Sequence, residues 1–131
     1  MEDSIFTKII KGDIPCEKVY EDDKTMAFLD IHPIVPGHTL VVPKVQVDQF
    51  DDLSEEDYAA VWATVRKVAR QIKQRLGSVR ACIRVEGFDV PHAHVHVYPC
   101  NTAEDFYGDE DRLHKEPDHA ALAAMATKLL F

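Results

Sequence analysis

The sequence lacks several features that define large classes of proteins. No apolar run approaches the roughly 20 residues that a membrane-spanning helix needs, and no long run of Lys or Arg is present. The formal net charge is −8, so a broad contact surface for DNA or RNA is not expected. The first residues, Met-Glu-Asp-Ser, lack the basic start and apolar core of a signal peptide. We therefore expect neither a membrane nor a nucleic acid as a partner.

Cysteine is also scarce. Cys16, Cys82 and Cys100 are odd in number, widely separated and without a Cys-x-x-Cys pair. This pattern argues against a disulfide framework and predicts a reducing, cytoplasmic location. With 131 residues, of which 46% are hydrophobic, the chain is predicted to form a single domain with a core of its own.

The distribution of apolar residues along the sequence predicts helices and strands. Apolar residues at helical spacing predict a short helix over 4–12, a long one over 54–76 that ends at Gly77, and a last short helix over 118–130. Between them, β-type segments bounded by turn residues predict five strands over 17–21, 25–31, 38–43, 79–86 and 92–99. The last two strands are expected to pair as a hairpin, and 101–117 is expected to be turn-rich.

Residues 92–99, HAHVHVYP, contain three histidines in strict alternation with apolar residues. A period of two predicts a half-buried strand, on which His92, His94 and His96 share one face that is free for chemistry. Alternate residues of a strand lie about 6.5–7 Å apart, so all three imidazoles are not expected to reach one metal ion. Two could bind a metal with a ligand from elsewhere. Alternatively, one could act as a nucleophile whose neighbours orient it and move protons.

Together with upstream segments, this stretch resembles the histidine triad (HIT) family of nucleotide-binding hydrolases and transferases. HAHVHVY matches the triad motif His-φ-His-φ-His-φ-φ, where φ is apolar. SIFTKIIKGDIP resembles the opening helix of the family, and KVYEDDKTMAFLDIHPIVPGHTLVVPK resembles its central two-strand-plus-loop segment. The resemblance covers about residues 4–99 and leaves 100–131 as a C-terminal tail with a short helix.

This resemblance implies a fold, an assembly and a reaction. The fold would be α+β, a HIT-like five-stranded antiparallel sheet with a short N-terminal helix and one long helix, and it would form a homodimer whose sheets join. The enzyme would cleave at the α-phosphate of a purine nucleotide derivative through a nucleotidyl-histidine intermediate. The substrate would be a nucleoside phosphoramidate or a dinucleoside polyphosphate, with the phosphoramidate slightly favoured. No metal or other cofactor is expected.

The resemblance also implies roles for individual residues. His94 would be the nucleophile, His92 would orient it and form a proton relay with His38, and His96 would contact the phosphate or assist the leaving group. The nucleotide-binding positions would be Ile5, Phe6, Ile9 and Phe28 around the purine, Asp30 and Ile31 at the ribose, and Leu40 in the same pocket. Some family members bind a structural zinc through a Cys-x-x-Cys in the first helix. Ser4 and Thr7 occupy those positions here, so no such site is expected.

The loop before the triad departs from the family pattern. Residues 87–91, ending in Val90-Pro91, form a shorter loop without the Gln, the Ser or Thr hydroxyl and the Asn that help hold phosphate in many members. Pro91 also has no N–H to donate. The altered loop favours one alternative, a nucleotide-binding or interaction protein with little turnover. A further alternative, independent of the loop, is a metal-dependent hydrolase that uses two of the triad histidines plus His38. The three remaining histidines are expected at the surface; they are His32, His114 and His119.

Overall fold

The computed structural model describes residues 1–131. The elements in chain order are α1 (Ile5–Ile10), β1 (Lys18–Glu21), β2 (Thr25–Leu29), β3 (Thr39–Pro43), α2 (Glu55–Leu76), β4 (Arg80–Arg84), β5 (Val95–Cys100), α3 (Ala103–Tyr107) and α4 (His119–Leu129). Short 3-10 turns cover Phe50–Asp52 and Glu110–His114. None of the helices has the length and apolar character that crossing a membrane requires.

Serine side chains start the two helices that flank the sheet. Ser4 Oγ accepts from the Thr7 N–H at the start of α1, and Ser54 Oγ accepts from the Asp57 N–H at the start of α2. At the other end of α2, Gly77 adopts φ = 68°, the left-handed conformation in which helices commonly end. Local sequence signals therefore set the limits of both helices.

The strands form one five-stranded antiparallel sheet in the order β1-β2-β3-β5-β4. The predicted α+β fold with its short first helix and long second helix is confirmed. Strands β4 and β5 are adjacent, as expected, although a long connection over 85–94 joins them. Strand β4 is one edge of the sheet, and its residue Ile83 is exposed.

The two faces of the sheet have different partners. One face packs against α2 and α4 in a cluster that includes Val41, Val97, Ile72 and Leu129. The opposite face carries α1, which packs Phe6 on Met26, Phe28, Leu40 and Val42. Further along this face, Ile34, Tyr98 and Cys100 form a third cluster with Phe106 of α3. Residues of β5 between the second and third clusters point into a cleft.

The residues after β5 contain more regular structure than the sequence indicates. The predicted last helix forms as α4, and Leu122, Ala126 and Leu129 of this helix belong to the core cluster on α2. The segment expected to be turn-rich also contains α3, which begins with a capping box at Thr102 and Asp105.

The histidine segment differs from its prediction. Strand β5 begins at Val95, so His92 and His94 precede the strand and only His96 lies within it. The reason is that the Ala93 N–H donates to the Val47 carbonyl, 2.7 Å away, in the connection after β3. The imidazoles are also less open than expected, because His92 is 0% and His94 is 6% exposed.

Gly37, next to His38, has a conformation that other residues rarely adopt. Its φ is 102°, and a Cβ there would lie 2.8 Å from Leu76 Cδ1 and 3.3 Å from Pro99 Cγ. We expect Gly37→Ala to lower the free energy of unfolding by about 1–3 kcal/mol, because it combines backbone strain with a close contact. Urea unfolding would measure the loss. Gly12→Ala is the matched control for strain alone, since Gly12 has φ = 84° but open space around its Cβ position; an equal loss in both variants would exclude a packing role for Gly37.

Candidate active site

A cleft of about 320 Å³ opens between α1, β2 and the histidine segment. All seven residues predicted to bind the nucleotide line this cleft, together with His94 and His96; the seven are Ile5, Phe6, Ile9, Phe28, Asp30, Ile31 and Leu40. The Phe6 ring stands edge-on to the Phe28 ring, with 5.6 Å between centroids, and to the His94 imidazole, with 4.9 Å. We call this space the nucleotide cleft.

The hydrogen bonds of His94 define its tautomer. Its Nδ1 lies 2.7 Å from the backbone carbonyl of His92. A carbonyl oxygen can only accept, so we assign the proton to Nδ1. The Nε2 lone pair is then unprotonated, and Nε2 makes no hydrogen bond within the protein. A neutral imidazole with a free Nε2 lone pair has the form that nucleophilic attack requires.

His92 is held from both sides by buried hydrogen bonds. Its Nε2 donates to the Pro43 carbonyl at 2.8 Å, and its Nδ1 accepts from Ser4 Oγ at 2.7 Å. Burial lowers the pKa of His92 and keeps it neutral. Gln46 completes the cluster, because its Oε1 accepts from the Ser4 N–H and from Thr7 Oγ1, each at 2.7 Å. We call Ser4, Thr7, Gln46 and His92 the His92 cluster.

Ser4 allows the contribution of this cluster to be measured. Ser4→Ala removes both the cap of α1 and the buried bond to His92, whereas Ser54→Ala removes the comparable cap of α2 and only an exposed bond to the Asp57 carboxylate. We expect Ser4→Ala to lower the free energy of unfolding by about 2–4 kcal/mol and Ser54→Ala by about 1 kcal/mol. Denaturant unfolding of both variants tests this difference. Equal losses would mean that the Ser4–His92 bond adds no stability.

His38 and His96 form a second imidazole pair. His38 Nδ1 accepts from the Ile34 N–H at 3.0 Å, so the proton of His38 lies on Nε2 and is donated to His96 Nδ1 at 2.9 Å. The proton of His96 is therefore assigned to Nε2. Burial, with a smaller contribution from the neighbouring positive charges, lowers the pKa of His38 to about 2 and that of His96 to about 4. Both rings are neutral near pH 7.

These pairings correct one prediction. The expected relay between the side chains of His92 and His38 does not form, because each imidazole has other partners at both ring nitrogens. His92 reaches His94 through its backbone carbonyl rather than through its ring. The four histidines are thus connected as two separate pairs, His92 with His94 and His38 with His96.

Asp30 and His32 stand at the far wall of the nucleotide cleft. The Asp30 carboxylate accepts from the His32 N–H at 2.8 Å, and its other oxygen lies 3.6 Å from His38 Nε2. Burial raises the pKa of Asp30 above its usual value. His32 was expected at the surface, but it lines the cleft, and its Nδ1 is buried without a hydrogen-bond partner. His114 and His119 are exposed.

Glu86 is a site residue that the sequence did not indicate. One carboxylate oxygen of Glu86 and a ring nitrogen of each of His94 and His96 all lie within 4.8 Å of one another. In the antiparallel β4–β5 ladder, Arg84 is opposite His96. Glu86 is two residues after Arg84 and His94 is two residues before His96, so the same alignment places Glu86 beside His94. This ladder alignment is the signal that could have revealed it.

The metal-dependent alternative finds little support in the hydrogen bonds. Two groups bring three possible ligand atoms within 4.8 Å: Asp30, His38 and His96, and Glu86, His94 and His96. Both groups need a lone pair from His96. In the assigned tautomer His96 has none to offer, because Nδ1 accepts from His38 and Nε2 carries the proton. His94 Nε2 is the one imidazole lone pair of these groups that is free.

The sheet, the two imidazole pairs and the cleft beside them define a protein of the HIT fold. The structure superposes on the crystal structure of a Hit-like protein from Bartonella henselae with a TM-score of 0.80 and 30% identity, covering 97% of this chain and 94% of that one. The HIT domain profile matches residues 11–103, and the chain belongs to this family.

Two curated relatives have named activities. An adenosine 5'-monophosphoramidase of Schizosaccharomyces pombe is 40% identical over 72% of this chain and 72% of its own length. An adenylylsulfatase of Arabidopsis thaliana is 32% identical over 74% of this chain and 52% of its own length. Some members of the family are thus named as hydrolases.

Proposed function

We propose that this protein is a nucleotide hydrolase that cleaves at the α-phosphate of a purine nucleoside phosphoramidate or a dinucleoside polyphosphate. The observation that carries the proposal is the free Nε2 lone pair of His94. His94 lines the same cleft as all the predicted nucleotide-binding residues. His94 attacks phosphorus and forms a nucleotidyl-histidine, which water then hydrolyses to release a nucleoside monophosphate.

The other histidines act on this step through the positions of their protons. The His92 carbonyl holds the proton of His94 on Nδ1 and so keeps Nε2 available for attack. His38 supplies the hydrogen bond that leaves an N–H at His96 Nε2. That N–H donates to a phosphoryl oxygen, where charge develops in the transition state. Because both rings are neutral near pH 7, neither loses this role at physiological pH.

The nucleoside occupies the apolar part of the nucleotide cleft. Ile5 and Ile31 both line this cleft, and they are 48% and 47% exposed. Two exposed apolar side chains in one cleft fit a site where a ligand covers them. The purine lies against these residues and Phe6, Ile9, Phe28 and Leu40. Asp30 accepts from the ribose hydroxyls, which provides its half-buried carboxylate with hydrogen-bond donors.

We also propose a homodimer formed through the edge strand β4, whose Ile83 and neighbouring Val79 are 41% and 70% exposed. An unpaired strand edge with apolar side chains favours pairing with a second copy. The three free thiols suit a reducing, cytoplasmic location.

Product analysis with adenosine 5'-phosphoramidate and a diadenosine polyphosphate tests the proposed function. We expect adenosine monophosphate from at least one of them, turnover that survives a chelator, and a nucleotidyl group on the peptide containing His94 after rapid quenching. Loss of turnover with chelator would favour the metal-dependent alternative. Binding of adenosine monophosphate without turnover of either compound would favour the binding-protein alternative.

A further inference from the structure

A second cavity, also of about 320 Å³, is lined by the connection after β3 and by the segment between β4 and β5, which includes His94. It shares two lining residues, His94 and Glu86, with the nucleotide cleft. A ligand that spans His94 therefore extends from the nucleotide cleft at one end into the second cavity at the other. Since the nucleoside occupies the first space, the group attached beyond the α-phosphorus occupies the second.

The second cavity is acidic. Asp48, Asp51 and Glu86 line it, and none of its ten lining residues is Lys or Arg. No Lys, Arg or His lies within 4.0 Å of any of these three carboxylates. Uncompensated carboxylates around a partly enclosed space repel an anion and attract a cation.

Two aromatic rings also line the second cavity. Phe50 and Phe88 are 40% and 91% exposed. Phenyl faces and carboxylates both bind organic ammonium ions, the first through cation–π attraction and the second through charge. The apolar surface also accommodates the carbon chain of such a ligand.

A second observation, independent of the acidic residues, connects this cavity to the proposed reaction: His94 lines it. His94 is 6% exposed, lines both spaces, and its Nε2 has no partner within the protein. An unpartnered lone pair on a residue that lines both cavities marks where the reacting phosphorus lies. The departing group then leaves on the side opposite the nucleoside.

We propose that the second cavity is the leaving-group subsite and that it selects nucleoside phosphoramidates whose departing amine carries an additional positive charge. This inference rests on the proposed function and narrows its substrate class. His94 Nε2 forms a bond to phosphorus as the P–N bond breaks, and the electron pair of that bond goes to the departing nitrogen, which takes a proton from water. The resulting hydroxide adds to phosphorus, the Nε2–P bond breaks, and its electron pair returns to His94.

Two matched substrates test the subsite: the adenosine monophosphate phosphoramidates of butylamine and of 1,4-diaminobutane, which differ in a terminal ammonium. We expect kcat/KM to favour the diamine compound by about tenfold at low salt. The double variant Asp51→Asn with Glu86→Gln should lose this preference. Asp52→Asn, which removes a neighbouring exposed carboxylate outside the cavity, should retain it.

Binding to the His94→Ala variant separates this inference from the proposed function. Neither compound should turn over there, so the ratio of their Kd values reports the subsite alone. A tenfold preference that disappears in the Asp51→Asn, Glu86→Gln background supports the subsite even if the wild type proves inactive. Equal affinities, or a preference unaffected by removal of the two carboxylates, would overturn it, whatever the activity of the wild type.

Discussion

Replacing His94 with alanine should reduce turnover of an adenosine phosphoramidate by at least about a thousandfold, because the covalent route is lost with its nucleophile. The nucleotide cleft keeps its apolar lining, so adenosine monophosphate should still bind with an affinity within a few fold of the wild type. Single-turnover kinetics and calorimetry measure the two quantities separately. The expected pattern is a loss in kcat with little change in binding.

His119→Ala is the matched control for this variant, since His119 is exposed at the start of α4. It should retain wild-type turnover. If His94→Ala kept more than about a tenth of the wild-type rate, another group would have to attack phosphorus. The free lone pair at His94 would then have no catalytic meaning.

Acid should destabilise the protein through its buried imidazoles. His38 has a pKa of about 2 and His96 of about 4 in the folded protein, against 6.5 for an ordinary histidine, because burial disfavours their charged forms. Below about pH 6.5 the unfolded chain therefore binds more protons than the folded one, and the free energy of unfolding falls with pH. His38 alone should account for about 3 kcal/mol between pH 7 and pH 4. The raised pKa of Asp30 acts in the opposite direction.

Urea unfolding at pH 7 and pH 4 tests this prediction. His38→Gln is expected to lower stability at pH 7, but its further loss between pH 7 and pH 4 should be about 3 kcal/mol smaller than that of the wild type. His119→Gln should show the wild-type loss. If His38→Gln and the wild type lost the same stability over this range, the buried His38 imidazole would not be the group that responds to acid.

The parts of the fold that depend on neighbouring residues could be predicted from the sequence. Ser4, Ser54 and Gly77 mark helix ends through bonds within one turn. Short β-type segments bounded by turn residues identify all five strands. The cleft residues could be named because a family motif fixes their order, and the structure brings them into one space. Their roles in catalysis stay predictions.

The contacts that depend on strand register could not be predicted from the sequence. His38 meets His96 because Leu40 is opposite His96 in the β3–β5 ladder, and sequence alone does not set that alignment. Glu86 reaches His94 through the β4–β5 ladder in the same way. Gln46 lies in the connection between β3 and α2, outside every predicted helix and strand, yet it completes the His92 cluster.

The His92 cluster has a consequence for how the protein acquires activity. His92 bonds Ser4, 88 positions earlier in the chain, and Pro43, 49 positions earlier. Contacts between residues so distant in the sequence form slowly, because a long loop must close first. A chain whose sheet has formed but whose first helix has not docked would retain most of its secondary structure while leaving the His92 ring free to turn. Recovery of turnover after dilution from denaturant should then follow the docking of residues 4–10 and lag behind the formation of the sheet.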